Sequence, residues 1–349
     1  KVAERIFANM LQTSFALREM KHSILAYRYL GLAQRCNGRN ESAETSQRRG
    51  LDLAERAEDP ALIAGCLDDL AMTAFEGGAP GAFAEALKML ERALEIRRSL
   101  GNSADTAETL DRLGMVLIGR GDLNRAMAIL SEALNLRLAA DAWSGMAQTK
   151  VSIARVMRKL GHSQGIERHL DEAMAVVDRS GEVWMRHVLA SLLAEDAVTD
   201  GKLEEARHHL AQARELLERL PCLPWKIEMH RISALLVLRE GRLPEALREA
   251  IRATELARAG ESRLRLGGAL VTLAEILAEV LKQAYTPKPS PKQIRDIFLE
   301  ALAFLEEMGN WHGAAMCLRS YGRFLLERGK KAEYEQCRIR ADKLDPLTQ

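Results

Sequence analysis

The 349-residue sequence has almost no charge bias: 50 Lys and Arg stand against 49 Asp and Glu, a formal net charge of +1. A nucleic-acid binder carries a clear basic excess, so that partner is disfavoured. Aromatic residues are scarce at 5%, which leaves few rings to stack on a sugar. No apolar run approaches the ~20 residues that span a bilayer. No signal peptide precedes Lys1 either, so a membrane partner is not expected and a cytoplasmic location is. The five cysteines, Cys36, Cys66, Cys222, Cys317 and Cys337, are odd in number, dispersed and without a CxxC pair. That excludes a disulfide framework and a structural zinc site, and predicts reduced, packed thiols. None of the eight histidines forms HExxH. Adjacent His208 and His209 point about 100° apart on a helix, so no metal site is expected. The glycines of Gly77-Gly78-Ala79-Pro80-Gly81 lack the Gly-Lys-Ser/Thr of a phosphate loop. No nucleophile elbow is present. Neither a cofactor nor a catalytic site is expected, and the chain reads as a non-enzyme.

What the sequence does have is a ladder of small residues. Ala93, Ala133, Ala173, Ala213 and Ala253 follow one another at intervals of 40; Ala301 comes 48 later and Ala341 another 40 on. A parallel ladder runs through Gly31, Ala71, Gly114, Ala154, Ala194, Ala234, Ala274 and Gly322. A fixed period of roughly 20–50 residues means stacked supersecondary units. Between the ladders, apolar residues recur at helical spacing, as in Val151, Ile153, Val156 and Met157, then Ile166, Leu170, Val176 and Val177. One such unit reads as a first helix from about Asp141 to Lys159 and a second ending near Ser180-Gly181. A glycine follows seven residues after the small residue of most first helices: Gly38, Gly78, Gly121, Gly161, Gly201, Gly241 and Gly329. Glycine closes a helix in the left-handed conformation, so each unit is two antiparallel helices joined by a tight turn. The ladder residues belong where two helix backbones come closest.

The carrying residues are Leu113-Gly114, Gly121-Asp122-Leu123, Ala126, Leu130 and Ala133. They recur as Leu193-Ala194, Gly201-Lys202-Leu203, Ala206, Leu210 and Ala213, and as Ala234, Gly241-Arg242-Leu243, Ala246, Ala250 and Ala253. On these the chain resembles the tetratricopeptide repeat (TPR) family. The resemblance implies an all-α fold, a right-handed superhelical α-solenoid of about eight antiparallel helix pairs, as one domain over 1–349 with a leading half-repeat at 1–20. The period departs from the family's usual unit of about 34 residues. The distance between the two small residues of a unit stays at 19 in most units, so the extra length lies beyond the second one. Such long units look like those of kinesin light chains and of the sensor regions of bacterial signal-transduction ATPases and transcription activators.

The seventh unit is interrupted by Tyr285-Thr286-Pro287-Lys288-Pro289-Ser290-Pro291-Lys292. Its prolines forbid helix and mark a proline-rich insertion at 285–292. Trp143, Trp184, Trp225 and Trp311 fall near the starts of first helices and are expected to fill the wedges between units.

Solenoids of this kind bind along their concave face. The resemblance places the inward side chains six and three residues before, and one and four after, the small residue of each first helix. That template picks Glu108, Asp111, Met115 and Ile118, then Gln148, Val151, Arg155 and Arg158. It continues with Val188, Ser191, Glu195 and Val198, with Glu228, Arg231, Leu235 and Leu238, and ends on Met316, Arg319, Arg323 and Leu326. The polar residues proposed to touch a partner are Asp111, Gln148, Arg155, Arg158, Glu195, Glu228, Arg231, Arg319 and Arg323. Arg155 with Arg158, and Arg319 with Arg323, stand about one turn apart and suit a carboxylate or phosphate. Glu108 and Asp111 are placed to neutralise Arg155 and Arg158 across the stack. The expected function is a scaffold or sensor that binds a protein or peptide partner, as part of a larger bacterial regulatory protein, because the chain opens without Met inside a helical pattern. The alternative is a receptor for a small ligand such as an oligosaccharide or nucleotide. A homodimer through the N-terminal half-repeat is a further expectation.

Overall fold

The computed structural model describes residues 2–345 apart from 141, 142, 144, 163 and 284–287. Among the described residues the chain forms seventeen helices and no strand. A lead helix, α1 (Val2–Ala16), precedes eight pairs: α2 (Met20–Cys36) with α3 (Asn40–Arg56), α4 (Pro60–Gly77) with α5 (Ala82–Leu100), α6 (Ser103–Arg120) with α7 (Leu123–Ala139), and α8 (Met146–Lys159) with α9 (Ile166–Ser180). The second half repeats the plan in α10 (Val183–Thr199) with α11 (Leu203–Arg219), α12 (Leu223–Arg239) with α13 (Leu243–Ala259), α14 (Arg263–Lys282) with α15 (Pro291–Met308), and α16 (Trp311–Glu327) with α17 (Lys331–Leu344).

Both small-residue ladders lie in the helix–helix seams. Ala133, Ala154, Ala173, Ala194, Ala213, Ala234, Ala274 and Ala301 are all fully buried. At Gly114 even a methyl group would meet Leu130 Cδ2 at 2.6 Å. The turn glycines also behave as the spacing predicts: Gly38, Gly78, Gly121, Gly161, Gly201, Gly241 and Gly329 all have φ between +68° and +91°.

Two boundaries differ from the sequence reading. Helix α8 begins at Met146, not near Asp141, after Gly145 with φ +74°. Residues 285–287 of the proline-rich insertion lie outside the described residues. Its far end is helix: Ser290 caps α15 in a capping box with Gln293, and Pro291 takes the first helical position, where its missing N–H costs nothing.

The tryptophans divide. Trp225 stacks on His187 with ring centroids 4.9 Å apart, linking pairs 5 and 6 as expected. Trp143 lies outside the helices and exposed, under the Arg179 guanidinium. Trp184 and Trp311 are also partly open to solvent; they fill no wedge completely.

The spiral closes on itself, so that the turns of the first pairs rest on the later ones. Asn40 Nδ2 donates to the Glu261 carbonyl at 2.9 Å, and the Glu41 N–H to Glu261 Oε2 at 3.1 Å. Ser262 Oγ donates to Glu76 Oε1 at 2.6 Å, and the Gly81 N–H to the Glu307 carbonyl at 2.8 Å. A Cβ on Gly38 would sit 2.9 Å from Gly260 Cα and against Leu223, so this turn needs glycine for room as well as for φ. Apolar burial reinforces the contact: Met308, Leu264 and Phe304 join the core of pairs 2–4 beside Phe83 and Ile118.

Candidate functional site on the inner wall

The first helix of each pair packs against the first helix of the next, from α2 through α16, and together they form the inner wall. Along it, the rows six before and one after the small residue stay at least partly accessible in most pairs. Leu32, Met72, Met115, Arg155, Glu195, Leu235, Glu275 and Arg323 make up the second of these rows.

The row three before the small residue is buried in pairs 2 to 5, at Asp68, Asp111, Val151 and Ser191, and there the template fails. Asp111 is 1% exposed and Val151 3%. Asp111 faces the junction between pairs 3 and 4, where Arg137 Nη2 of α7 donates to its Oδ2 at 2.6 Å and Thr149 Oγ1 of α8 at 3.0 Å. Pair 2 repeats the arrangement: Arg97 Nη2 lies 2.6 Å from Asp68 Oδ2, and Thr109 Oγ1 donates to the same oxygen at 3.1 Å. Burial pushes both carboxyls up, to about 6, against the pull of their arginines. Asp111 is a fastener between units and not a partner contact. Ile118 and Val198, in the row four after, are buried as well.

The charged pairs foreseen across the stack are rearranged. Glu108 binds Arg112 at 2.6 Å, and Arg112 with Arg28 clasps Asp69 at 3.1 and 2.7 Å. Neither Glu108 nor Asp111 reaches Arg155 or Arg158. Arg158 turns to Asp196 on α10, whose carboxyl burial raises to about 6. Arg231 holds Glu228 and Glu195. Burial opposes the Glu228 carboxylate, but Arg231 and Arg265 prevail and hold it at about 2. Arg265 Nε meets Glu76 Oε1 at 3.2 Å. Arg319 lies 3.8 Å from Asp345 Oδ2, and Arg323 3.4 Å from Glu275. Gln148 Nε2 lies 3.9 Å from Met115 Sδ. Arg155 is exposed on α8.

Six participants escaped the sequence reading: Glu76, Lys159, His312, Asp345, Cys36 and Cys222. Glu76 and Lys159 sit five after their small residues, one beyond the template. Lys159 Nζ donates to His312 Nε2, and His312 Nδ1 donates to Asp345 Oδ2 at 2.6 Å. Cys36 and Cys222, far apart in sequence, come near enough across the closure to perturb each other's thiols. The equal Arg97–Thr109 and Arg137–Thr149 spacings were a readable signal for the fasteners; nothing local marks the other contacts. Among the described residues no cluster of three His, Cys, Asp or Glu side chains is arranged to hold a metal. None of these helices is long and apolar enough to cross a membrane.

The tetratricopeptide repeat family model matches residues 79–139. No curated protein matches the sequence. Solved structures do resemble the fold over almost the whole chain. A Rap protein complexed with competence and sporulation factor is 14% identical, with 99% of both chains covered and a TM-score of 0.66. The Rap conjugation gene regulator of plasmid pLS20, in complex with the Phr* peptide, is 14% identical, covering 97% of this chain and 94% of that one, at TM-score 0.64. A signal transduction ATPase with a tetratricopeptide repeat sensor from Pyrococcus horikoshii is 10% identical at TM-score 0.52; this chain is covered to 99% but spans only 55% of that protein. At such identities the likeness is one of fold. Fold and inner wall together define an all-α helical-repeat solenoid. Within it, residues 79–139 match the tetratricopeptide repeat family, and the other helix pairs repeat the same plan.

Proposed function

We propose that this chain is a sensor or docking domain that binds an extended peptide, or a peptide-like segment of a protein, along its inner wall, as part of a cytoplasmic regulatory protein. The observation that carries the reading is one continuous accessible row with an apolar stretch, Leu32, Met72 and Met115, followed by a mostly charged one, Arg155, Glu195, Leu235, Glu275 and Arg323. A row built from successive units matches the regular side-chain repeat of an extended chain. One structural neighbour was solved with the Phr* peptide bound and another with competence and sporulation factor, which supports the reading by analogy of fold. Catalysis has no place in it. Pairing of two copies through α1 belongs to the same proposal, resting on the exposed Val2, Ile6 and Phe15.

The test is affinity selection of a random peptide library on the wild-type chain and on Met115→Lys. Retention by wild type, reduced by the substitution with thermal stability unchanged, supports it. A thermal shift with a metabolite pool but none with peptides would move the reading to a small ligand; saturation at 100 Kd adds about 2.7 kcal/mol.

A further inference from the structure

We infer that His312 is a proton-operated clasp: it holds the spiral closed while its Nε2 is bare and releases the closure when Nε2 takes a proton. Three separate elements meet on this ring. Lys159 Nζ, at the end of α8, donates to Nε2, and Nδ1 donates at 2.6 Å to Oδ2 of Asp345, just beyond α17. The turn after α6 rests on the same residue, since a Cβ on Gly121 would lie 3.5 Å from His312 Cβ. Pairs 3, 4 and 8 are thus joined through one side chain, itself only 12% exposed. The clasp works whatever the inner wall binds.

The chemistry of the two partners fixes which nitrogen carries hydrogen. A carboxylate only accepts and an ammonium only donates, so the ring donates from Nδ1 and accepts at Nε2. Lys159 and His312 therefore hold one proton between them. A second leaves two cations face to face with no acceptor between, and the contact breaks. The surroundings make that second proton costly in the closed form. Lys159 faces the ring from α8, backed by Arg155, and Arg319 faces it from α16 itself. Asp345 opposes them, Asp342 engages Arg319 at 4.0 Å, and Glu195 and Arg231 act at one remove, on Lys159. Gly121 brings no charge. Burial, with the cations, holds the imidazole below its ordinary 6.5. Released, the ring returns to that value. The open form then binds the proton more readily, so acid favours opening. For one such proton, the open-to-closed ratio rises by up to ~10-fold between pH 7.5 and 5.5. Lys159, held at about 8 by burial and Arg155, stays mostly protonated over that range.

The test reads the closure and the ring separately in the intact chain. The Gly81 N–H donates to the Glu307 carbonyl across the closure. Its protection against amide exchange, corrected for the intrinsic rate at each pH, reports how often the spiral opens. Histidine-labelled protein gives the His312 titration by NMR, with His312→Gln identifying its signal. In wild type the His312 midpoint should fall below 6.5, and Gly81 protection should drop ~3–10-fold from pH 7.5 to 5.5. Glutamine keeps a donor and an acceptor but takes no proton, and Lys159→Met removes the opposing cation. Both variants should hold Gly81 protection steady over the same range, and Lys159→Met should raise the His312 midpoint. Asp68, Asp111 and Asp196 titrate near 6 in all three proteins, so comparison with wild type cancels them. A wild-type midpoint at or above 6.5 overturns the clasp. So does Gly81 protection that stays constant in wild type, or a drop that persists in either variant. A variant that fails to fold shows little protection already at pH 7.5, and the two wild-type readings then decide.

Discussion

Glu76 and Arg265, 189 residues apart in the chain, form an ion pair at 3.2 Å where the first turn of the spiral meets the second. Glu76 also accepts from Ser262 at 2.6 Å and is almost wholly buried. Removing one partner of a buried pair leaves the other uncompensated. Glu76→Ala is therefore expected to cost about 3 kcal/mol in urea unfolding. The loss should be local first, with faster amide exchange at 260–265 than in pairs 4 and 5. Uniform exchange throughout the chain would count against a latch at this point.

The fastener between pairs 3 and 4 makes a sharper prediction. Arg137→Ala alone strands Asp111 in the interior and is expected to destabilise by about 3–5 kcal/mol. The next junction fills the equivalent places with buried Val151, Val177 and Leu189. Copying that set, as Asp111→Val with Arg137→Val and Thr149→Leu, should restore stability to within about 1 kcal/mol of wild type. A triple variant no better than Arg137→Ala would show that the charges are required there for more than filling space.

Acid stability should carry the signature of Glu228. Its folded pKa is about 2, below its ordinary 4.5, because Arg231 and Arg265 outweigh burial. Between those values the unfolded chain binds more protons, so the contribution is full above pH 4.5 and is lost as pH falls towards 2. Glu228→Gln should flatten that acid limb. Asp111 works the other way: raised to about 6, it binds its proton first in the folded state and gains stability as pH falls from 7 towards 4. Asp111→Asn should remove that gain. Chemical denaturation followed from pH 7 to 3 distinguishes the two.

Gly38 combines φ +77° with a close approach to Gly260. Gly201 has the same backbone conformation but open space around it. Gly201→Ala is expected to cost about 1–2 kcal/mol from the left-handed conformation alone, and Gly38→Ala more, since it also pushes the closure apart. Equal thermal shifts in the two variants would refute the steric part.

The architecture was legible because a repeat writes itself locally. A small residue where backbones meet, and a glycine where a helix ends, recur at a spacing set by helix length, and both are visible without knowing the fold. The inner wall was legible in part. Rows six before and one after the small residue come out accessible, but Asp111, Val151 and Ile118 are covered by the neighbouring unit. That depends on how steeply successive pairs rotate. Small changes in that rotation add up over five units, and they decide whether Asn40 finds Glu261 or solvent. No motif encodes this, so Glu76 and Lys159 had no sequence signal as members of the site.

Closure is the central claim, because it turns a row of first helices into an enclosed wall and brings Lys159 to His312. Cys36 at the end of α2 and Cys222 at the start of α12 report it directly: the closure packs Gly38 against Leu223 and brings the two thiols near enough to perturb each other. The neighbouring Cys222 draws the Cys36 thiol down to about 7, despite burial, so it attacks a disulfide near neutral pH. Treatment of the monomer with glutathione disulfide, followed by peptide mapping, tests the geometry. The account predicts a Cys36–Cys222 disulfide as the main product, formed with release of two glutathione thiols. Glutathione attached separately at Cys36 and Cys222, with no linked peptide, would contradict it.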